Sequence, residues 1–508
     1  MKCENFDAAA RARTWDNLGN NQVLYQLSYG GPVSTKREFV DIRFAFDRHA
    51  FAQRRGRDDM TDALDTLLAR VRERVTPDVD ERARLDAAIA RLDERVAAAI
   101  DDCPVAADTL HVGSTARGTW LPGDRDIDLF VRFPPDLPRA ELERHGLAIG
   151  HAVLPDGHEE YAEHPYVTGE FEGFAVDLVP CYRVESATAI RSAVDRTPFH
   201  TRYLAARLDD AFATDVRVAK RFLSAIGVYG SDLRTRGFSG YLTELLVLEH
   251  GGFRNLVEAA ADWQPPVRFD PEDHGTRRFD DPLVVIDPTD PERNVAAVLS
   301  ATNLARFQHH ARRLLADPDD DRFAPRSPMA LSSADVRREL DRRGTTPVAV
   351  RFDAPALVDD QLYPQLEKSL AGVRTALDDH GFDVLRSQAF ADRTGVLLYE
   401  LAVAERPAVE RHVGPPVSAR EHAARFYETY AAADCDGPFV DGDRYVVERE
   451  RDYRTADALL ADGFDGIALG TDIERAIDDG YSVLVGDDVP ALADEFGADL
   501  ADYFSPSP

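Results

Sequence analysis

The segment His111-Val-Gly-Ser-Thr-Ala-Arg-Gly-Thr-Trp-Leu-Pro-Gly-Asp-Arg-Asp-Ile-Asp-Leu-Phe130 decides how the chain is read. Residues 109–112 predict a short strand that ends at Gly113-Ser114. A glycine at that point lets the backbone approach a phosphate, and the serine hydroxyl can donate to it. Arg117, three residues on and so on the same side of a helical turn, supplies a planar fork matched to phosphate oxygens. No Gly-Lys-Ser/Thr follows, so this is not a Walker loop.

In a strand over 126–131, Asp126 and Asp128 project from one face while Ile127 and Leu129 point into the core. Two carboxylates on one face repel unless a cation sits between them, and Mg²⁺ is the ion that prefers hard oxygens and substrate phosphates. About fifty residues on, Phe174, Val176 and Leu178 bury one face of a strand over 173–179 and leave Asp177 on the other. If the two strands are neighbours, three carboxylates converge and can hold two metal ions for in-line displacement at phosphorus. A glycine-serine turn alone is commonplace, and so is a pair of alternating aspartates. Their order and spacing together point to nucleotidyl transfer.

The wider chain sets the frame. Its 508 residues exceed one core, so several domains are expected. It holds 91 acidic against 60 basic residues, a net charge of −31, and only four of the basic residues are lysine: Lys2, Lys36, Lys220 and Lys368. An apolar content of 44% argues against disorder. Such a balance suits a cytosol of very high salt, where self-repulsion is screened and a carboxylate surface stays hydrated. Acidity alone counts against a nucleic-acid partner, which normally wants a basic footprint, but counterion release contributes little in molar salt. Four cysteines and 14 histidines show no zinc-ligand spacing. No 18-residue apolar run or signal-peptide pattern is present, so no membrane partner is expected and the chain reads as cytoplasmic.

Residues 1–59 carry 10 basic and 8 acidic residues, unlike the rest, and read as a non-native or flexible extension with Met60 as the natural start. A catalytic head is expected over 60–198, opening with helices near 60–75 and 80–100. A mainly helical central domain is expected over 199–315, with Gly227 to Gly240 joining two helices and a turn-rich motif at Asp287–Asn294 leading into another. The remainder, 316–508, contains a β-α-β-β run (348–352, the helix of Leu362 to Leu377, 384–390 and 396–403) that suggests a ferredoxin-like or RNA-recognition-like module. Its last residues, Ser505-Pro-Ser-Pro508, look disordered. The fold class is thus α+β and multidomain.

Gly113-Ser-x-x-Arg-Gly followed by Asp126-Ile-Asp128 resembles the polymerase-β-type nucleotidyltransferase superfamily. The longer pattern is similar to the archaeal, class I CCA-adding enzymes, the tRNA nucleotidyltransferases. It runs through Arg196-Thr-Pro-Phe-His200, Val218-Ala-Lys220, Gly227-Val-Tyr-Gly230, Arg236-Gly-Phe-Ser-Gly-Tyr-Leu-Thr-Glu-Leu245 and Asp287-Pro-x-Asp-x-x-Arg-Asn-Val295. It reappears at His412-Val-Gly-Pro-Pro416, Gly437-Pro-Phe-Val440 and Val447-Glu-Arg-Glu-Arg451.

That resemblance implies template-independent addition of CCA to the tRNA 3′ end from CTP and ATP, with Mg²⁺ on Asp126, Asp128 and Asp177. It places Ser114, Arg117, His200, Lys220 and Tyr229 on the nucleotide's triphosphate and sugar, and Arg293 on the incoming base. The first metal carboxylate is often glutamate in the family, and Asp126 is a shorter equivalent. Read as residues alone, Lys220 suits a phosphate, His200 stands at a helix start, and Tyr229 could stack on a sugar or plug its loop. Arg293 could equally bridge to Asp287 or Asp290. Arg234, Arg236, Arg444, Arg449 and Arg451 are weaker candidates for RNA backbone contacts. A homodimer is compatible with the resemblance. A poly(A)-polymerase-like or oligoadenylate-synthesising enzyme is the alternative, and an RNA-binding protein with a dead transferase fold is disfavoured by the intact carboxylates.

The charge balance makes one prediction. Thermal unfolding followed by circular dichroism should shift to higher temperature between about 0.1 M and about 3 M KCl. Equal midpoints would defeat the high-salt reading.

Overall fold

The computed structural model describes residues 62–124, 126–161, 163–325 and 329–508. The readings made for residues 1–59 and for Met60 as a start lie outside the described residues.

The chain opens with a helix over 62–74 (α1) and a longer one, α2 (Val79–Asp101), capped by the Asp78 carboxylate on the Glu81 amide. A five-stranded sheet follows, built from β1 (Asp108–Val112), β2 (Asp126–Phe133), β3 (His158–Tyr161), β4 (Pro165–Phe171) and β5 (Phe174–Tyr182), in the order β1-β2-β5-β4-β3. Helix α3 (Gly113–Arg117) is the turn between β1 and β2, and α4 (Arg139–Val153) crosses from β2. Ile127, Leu129, Val131 and Phe133 of β2 pack with Leu85, Leu92 and Val96 of α2 and Leu142, Ile149 and Val153 of α4. Period-two alternation therefore turns Asp126 and Asp128 to the opposite face of the sheet.

The middle of the chain is mostly helical: α5 (Thr197–Ala205), α6 (Asp210–Ala225), α7 (Gly240–His250), α8 (Phe253–Ala261) and α9 (Ala301–Ala316). Phe222, Phe238, Phe253 and Phe307 form its aromatic centre, and Leu64, Leu67, Leu68, Val71 and Val75 join the same cluster. The apolar stripe of α1 thus belongs to this core rather than to the head with which the sequence grouped it. Three short strands, β6 (Val267–Phe269), β7 (Leu283–Asp287) and β8 (Asp290–Asn294), make a small sheet. The turn-rich motif expected at 287–294 is a β-hairpin, and the helix after it begins only at Ala301, behind the Ser300 cap.

After α10 (Ser333–Arg343), the C-terminal part holds β9 (Thr346–Asp353), α11 (Asp359–Asp379), β10 (Val384–Ala391) and β11 (Thr394–Leu401). A small antiparallel sheet is inserted next, from β12 (Val409–Pro416), β13 (Cys435–Asp441) and β14 (Arg444–Glu450), with α12 (Arg420–Tyr430) packed on it. Helices α13 (Ala456–Ala461) and α14 (Thr471–Asp479) then lead to β15 (Tyr481–Val485), which pairs with β9, and the chain ends in α15 (Ala493–Phe504). The strand order β10-β11-β9-β15, all antiparallel, is the ferredoxin-like arrangement with the β12–β14 unit inserted before its second helical segment.

An RNA-recognition domain offers bases an open sheet face. Here α11 and α14 cover one face and α10 and α15 the other, so β11 is buried almost throughout. The terminal Ser505–Pro508, expected to be disordered, lies along α9: Arg306 donates to the Ser507 carbonyl, and the Pro508 carbonyl sits 2.9 Å from His310 Nε2.

Candidate active site

Strands β2 and β5 run parallel in a register that sets Asp128 opposite Asp177, with Asp126 two residues earlier on the same face. β1 brings Val112 opposite Asp128, so the chain turns into α3 directly over that carboxylate. Gly113 has φ +73°, and a Cβ there would lie 1.8 Å from Asp128 Oδ2. Both its backbone angle and the close approach require glycine.

The electrostatics follow from crowding. Burial, then Asp177 and Asp126, push the Asp128 carboxyl up to about 6, against the pull of Arg117 and Lys220. Burial also raises Asp177, opposed by a hydrogen bond from the Thr168 hydroxyl and reinforced by Glu160 and Asp126. Asp126 is raised by burial and by Asp124. Among the described residues no three His, Cys, Asp or Glu side chains close around a common point. The donor set is nevertheless all hard oxygen, held on adjacent strands. It suits Mg²⁺ completed by phosphate oxygens.

Ser114 sits in the first turn of α3, half-buried, with no side-chain hydrogen bond among the described residues. Arg117 is more committed than the sequence suggested. Its Nε and Nη2 reach the two carboxylate oxygens of Glu244 at 3.1 and 3.0 Å, and Nη1 donates to Thr201 Oγ1 at 3.2 Å. Glu244 is 0% exposed and also accepts from Thr119 Oγ1 at 2.5 Å. Lys220 is not a surface lysine. It is 3% exposed, with Nζ 3.4 Å from Thr119 Oγ1, and burial lowers its proton affinity against the pull of Glu244. Glu244, which sequence reading passed over, was signalled by an acid standing alone in the apolar run Leu242–Leu248.

A second group gathers on Asp287, also 0% exposed. His200 Nε2 and Arg293 Nη1 each lie 2.8 Å from Asp287 Oδ2, while Thr289 donates its amide and hydroxyl to Oδ1 at 2.9 and 2.8 Å. The Tyr241 hydroxyl is 3.3 Å from Oδ1, and its ring stacks on His200 with centroids 3.9 Å apart. Burial works to raise the Asp287 carboxyl, but the His200 hydrogen bond and charge, the Thr289 amide and Arg293 outweigh it and hold it well below the usual range. His200 is lowered by burial and by nearby Arg293 and Arg117, against Asp287. Arg293 thus bridges to Asp287, one of its two expected partners, while Arg196 takes Asp290 at 3.2 Å.

Tyr229 is half-buried between its glycines, and a Cβ on Gly240 would lie 3.2 Å from its hydroxyl. The weaker RNA candidates are engaged locally. Arg234 and Arg236 lie 3.7 and 3.4 Å from Asp359 and Glu367, Arg449 and Arg451 share Glu410, and Arg444 donates to the Gly414 carbonyl.

A glycine-serine turn facing paired strand carboxylates, with a helical domain closing the other side, defines a nucleotidyltransferase of the polymerase-β type. Family models match in order along the chain: "Nucleotidyltransferase domain" over 106–200, "tRNA nucleotidyltransferase, second domain" over 214–324 and "CCA-adding enzyme, C-terminal domain" over 343–486. The CCA-adding enzyme of Haloarcula marismortui is 60% identical over 467 residues, covering 88% of this chain and 100% of that one. That of Halobacterium salinarum is 62% identical over 451 residues with the same coverage, and that of Methanosarcina mazei 38% identical over 446 residues, covering 86% and 98%. The chain belongs to the CCA-adding enzyme family.

Two stability predictions follow from the site. Unfolded, the Asp128 carboxyl ionises near 3.8, whereas folded it keeps its proton to about 6. The folded chain binds the extra proton in that window, so metal-free stability falls as pH rises through it and stays lower above it. Asp128→Asn should therefore gain roughly 1–3 kcal/mol over wild type above about pH 7 and much less near pH 4, in urea unfolding with chelator present. Glu244→Ala strands Arg117 and Lys220 without their carboxylate and should cost about 3–5 kcal/mol in the same assay. A loss under about 1 kcal/mol would mean that water replaces the pair.

Proposed function

We propose that this chain builds and repairs the 3′-terminal CCA of tRNA from CTP and ATP, without a nucleic-acid template and with release of diphosphate. The observation that carries the reading is the register of Asp128 against Asp177 beneath the Gly113–Arg117 turn, in a chain 60% identical to a CCA-adding enzyme over that protein's full length.

Asp126, Asp128 and Asp177 are assigned as the ligands of two Mg²⁺, which when bound would activate the 3′-hydroxyl and neutralise the β,γ-phosphates. Ser114 and Arg117 offer donors to the triphosphate from the turn, Arg117 through the N–H groups that Glu244 and Thr201 leave unused. Lys220 adds a buried positive charge behind them, and in that setting a compact ammonium favours phosphate. His200 and Tyr229 are assigned to the triphosphate and sugar. Arg293, steadied by Asp287 but about one third exposed, is assigned to the base edge. We further assign residues 60–198 to catalysis, with α1 packed into the central core, 199–315 to nucleotide and tRNA binding, and 316–508 to the tRNA body. A homodimer is compatible with the family, and the compartment assigned is the cytoplasm. No helix of the described residues is long and apolar enough to cross a membrane.

The test uses tRNA lacking CCA, with CTP alone, ATP alone or both. Cytidines should be added from CTP alone, and adenosine should follow only on tRNA ending in CC. Asp128→Ala should reduce transfer to background while tRNA binding by gel shift stays near wild type. Incorporation of ATP alone onto the truncated tRNA would favour a poly(A)-polymerase-like enzyme instead.

A further inference from the structure

A cavity of about 770 Å³ opens beside β8, the edge strand of the small sheet, and the loop after β5 closes its far side through Thr188 and Ile190. Arg293 lines it while holding Asp287 with Nη1, so the cavity adjoins the hub that also orients His200 and Tyr241. The loop before β7 is pinned along β8 by the Thr276 amide, which donates to the Pro291 carbonyl at 3.1 Å. That bond sets Arg277 and Phe279 into the cavity wall.

Phe279 is only half-buried, and it belongs to none of the apolar clusters of the described residues. Its ring therefore does little for the core and presents itself to the cavity. Arg277 is exposed, with its guanidinium carbon 5.4 Å from the Phe279 ring centroid and no carboxylate within ion-pair distance among the described residues. Flat groups in contact lie about 3.5–4 Å apart, so a planar ligand enters between the two when the guanidinium shifts by about 2 Å. A long exposed side chain makes that shift without disturbing the fold. Asp290 and Glu292 are the acids of the lining. Asp290 holds Arg196 at 3.2 Å and accepts the Glu292 amide at 3.1 Å, whereas Glu292 is exposed and repels phosphate. The charges thus nearly cancel, and Ile190 and Val298 add apolar wall. A flat, uncharged group with a π face suits this setting, and concentrated salt weakens stacking far less than it weakens phosphate contacts.

We propose that this cavity takes a nucleobase, stacked between the Phe279 ring and the Arg277 guanidinium. The proposal rests on the nucleotidyl-transfer reading above and adds a residue to it: Phe279 supplies the plane against which a base lies, beside Arg293 in the same wall. Two sources offer that base, the incoming CTP or ATP and the unpaired 3′ end of the acceptor tRNA.

The test compares wild type, Phe279→Leu and Phe279→Tyr as full-length proteins. Calorimetric titrations use CTP, ATP and inorganic tripolyphosphate, each with Mg²⁺, and gel shifts use tRNA ending in CC and a blunt-ended duplex of the acceptor stem. Leucine keeps the apolar bulk and removes the π face, and the unfolding midpoint checks the fold. Phe279→Leu should bind the ligand that carries the base about ten-fold more weakly, and Phe279→Tyr should restore it. Loss for CTP and ATP with tripolyphosphate unchanged assigns the cavity to the incoming nucleotide. Loss for tRNA ending in CC, with CTP and the blunt duplex unchanged, assigns it to the acceptor's 3′ end. Equal loss for CTP and tripolyphosphate, equal loss for both RNAs, no recovery in Phe279→Tyr, or Phe279→Leu affinities within about two-fold of wild type throughout, overturns the proposal. Cytidine addition by wild type is measured alongside. Where it is intact those outcomes overturn this proposal alone, and where it is missing the functional reading falls as well.

Discussion

The parallel pairing of β2 with β5 places two carboxylates side by side on a half-buried surface, and much of the surrounding structure serves to make that repulsion tolerable. Asp128 is the more buried of the pair and carries the larger rise in proton affinity. Two cations face it, Arg117 and Lys220, and both lower its carboxyl. Neither cation could stay buried alone, so Glu244 stands between them, wholly enclosed in α7 and bonded to Arg117 and Thr119. The order is acid, base, acid from the sheet to the middle core. Removing any layer leaves its neighbour as an uncompensated charge in a poorly solvated place.

Asp287 applies the same logic on the other side of the cleft. One buried carboxylate orients an imidazole, a guanidinium and a phenol that come from α5, β8 and α7. Because Arg293 uses its Nη1 on Asp287, the rest of its fork is aimed rather than free to swing. A side chain held this way loses less rotamer freedom when it meets a planar partner such as a base edge. Burial and its cationic neighbours Arg293 and Arg117 lower the proton affinity of His200 against the pull of Asp287.

What the sequence made legible depended on how local the physics was. β2 and β5 were readable because buried apolar residues alternate with their aspartates along one stretch of each strand. The carboxylate triad was readable for the same reason. α4 escaped notice because glycines interrupt its apolar stripe: a Cβ on Gly146 would lie 2.5 Å from Pro180, and one on Gly150 2.5 Å from Val167. Close packing on the sheet demands residues of poor helix propensity there. β3 escaped because all four of its residues are exposed and no alternation exists. The fourth strand of the C-terminal module, β15, was hidden by the β12–β14 insertion. The hub at Asp287 was hidden by distance, since His200 lies 87 positions away in the chain. Long-range pairing leaves no periodic trace.

The excess of acid and the shortage of lysine sharpen the meaning of each cation that remains. On the surface most arginines are tied to a neighbouring carboxylate, as with Arg70 and Arg74 on Asp320 or Arg139 on Glu143. In concentrated salt such exposed pairs contribute little, and their main effect is to leave few free positive charges for RNA or nucleotide to find by accident. Recognition of a polyanion must then rest on cations that the fold buries or aims, where salt screens them least. Lys220, Arg117 and Arg217 are buried cations: Arg117 ends the Gly113–Arg117 turn, and the other two reach Thr119 and Gly118 just after it. A chain with net charge −31 thus keeps these positive charges below its surface, around the turn that faces the strand carboxylates.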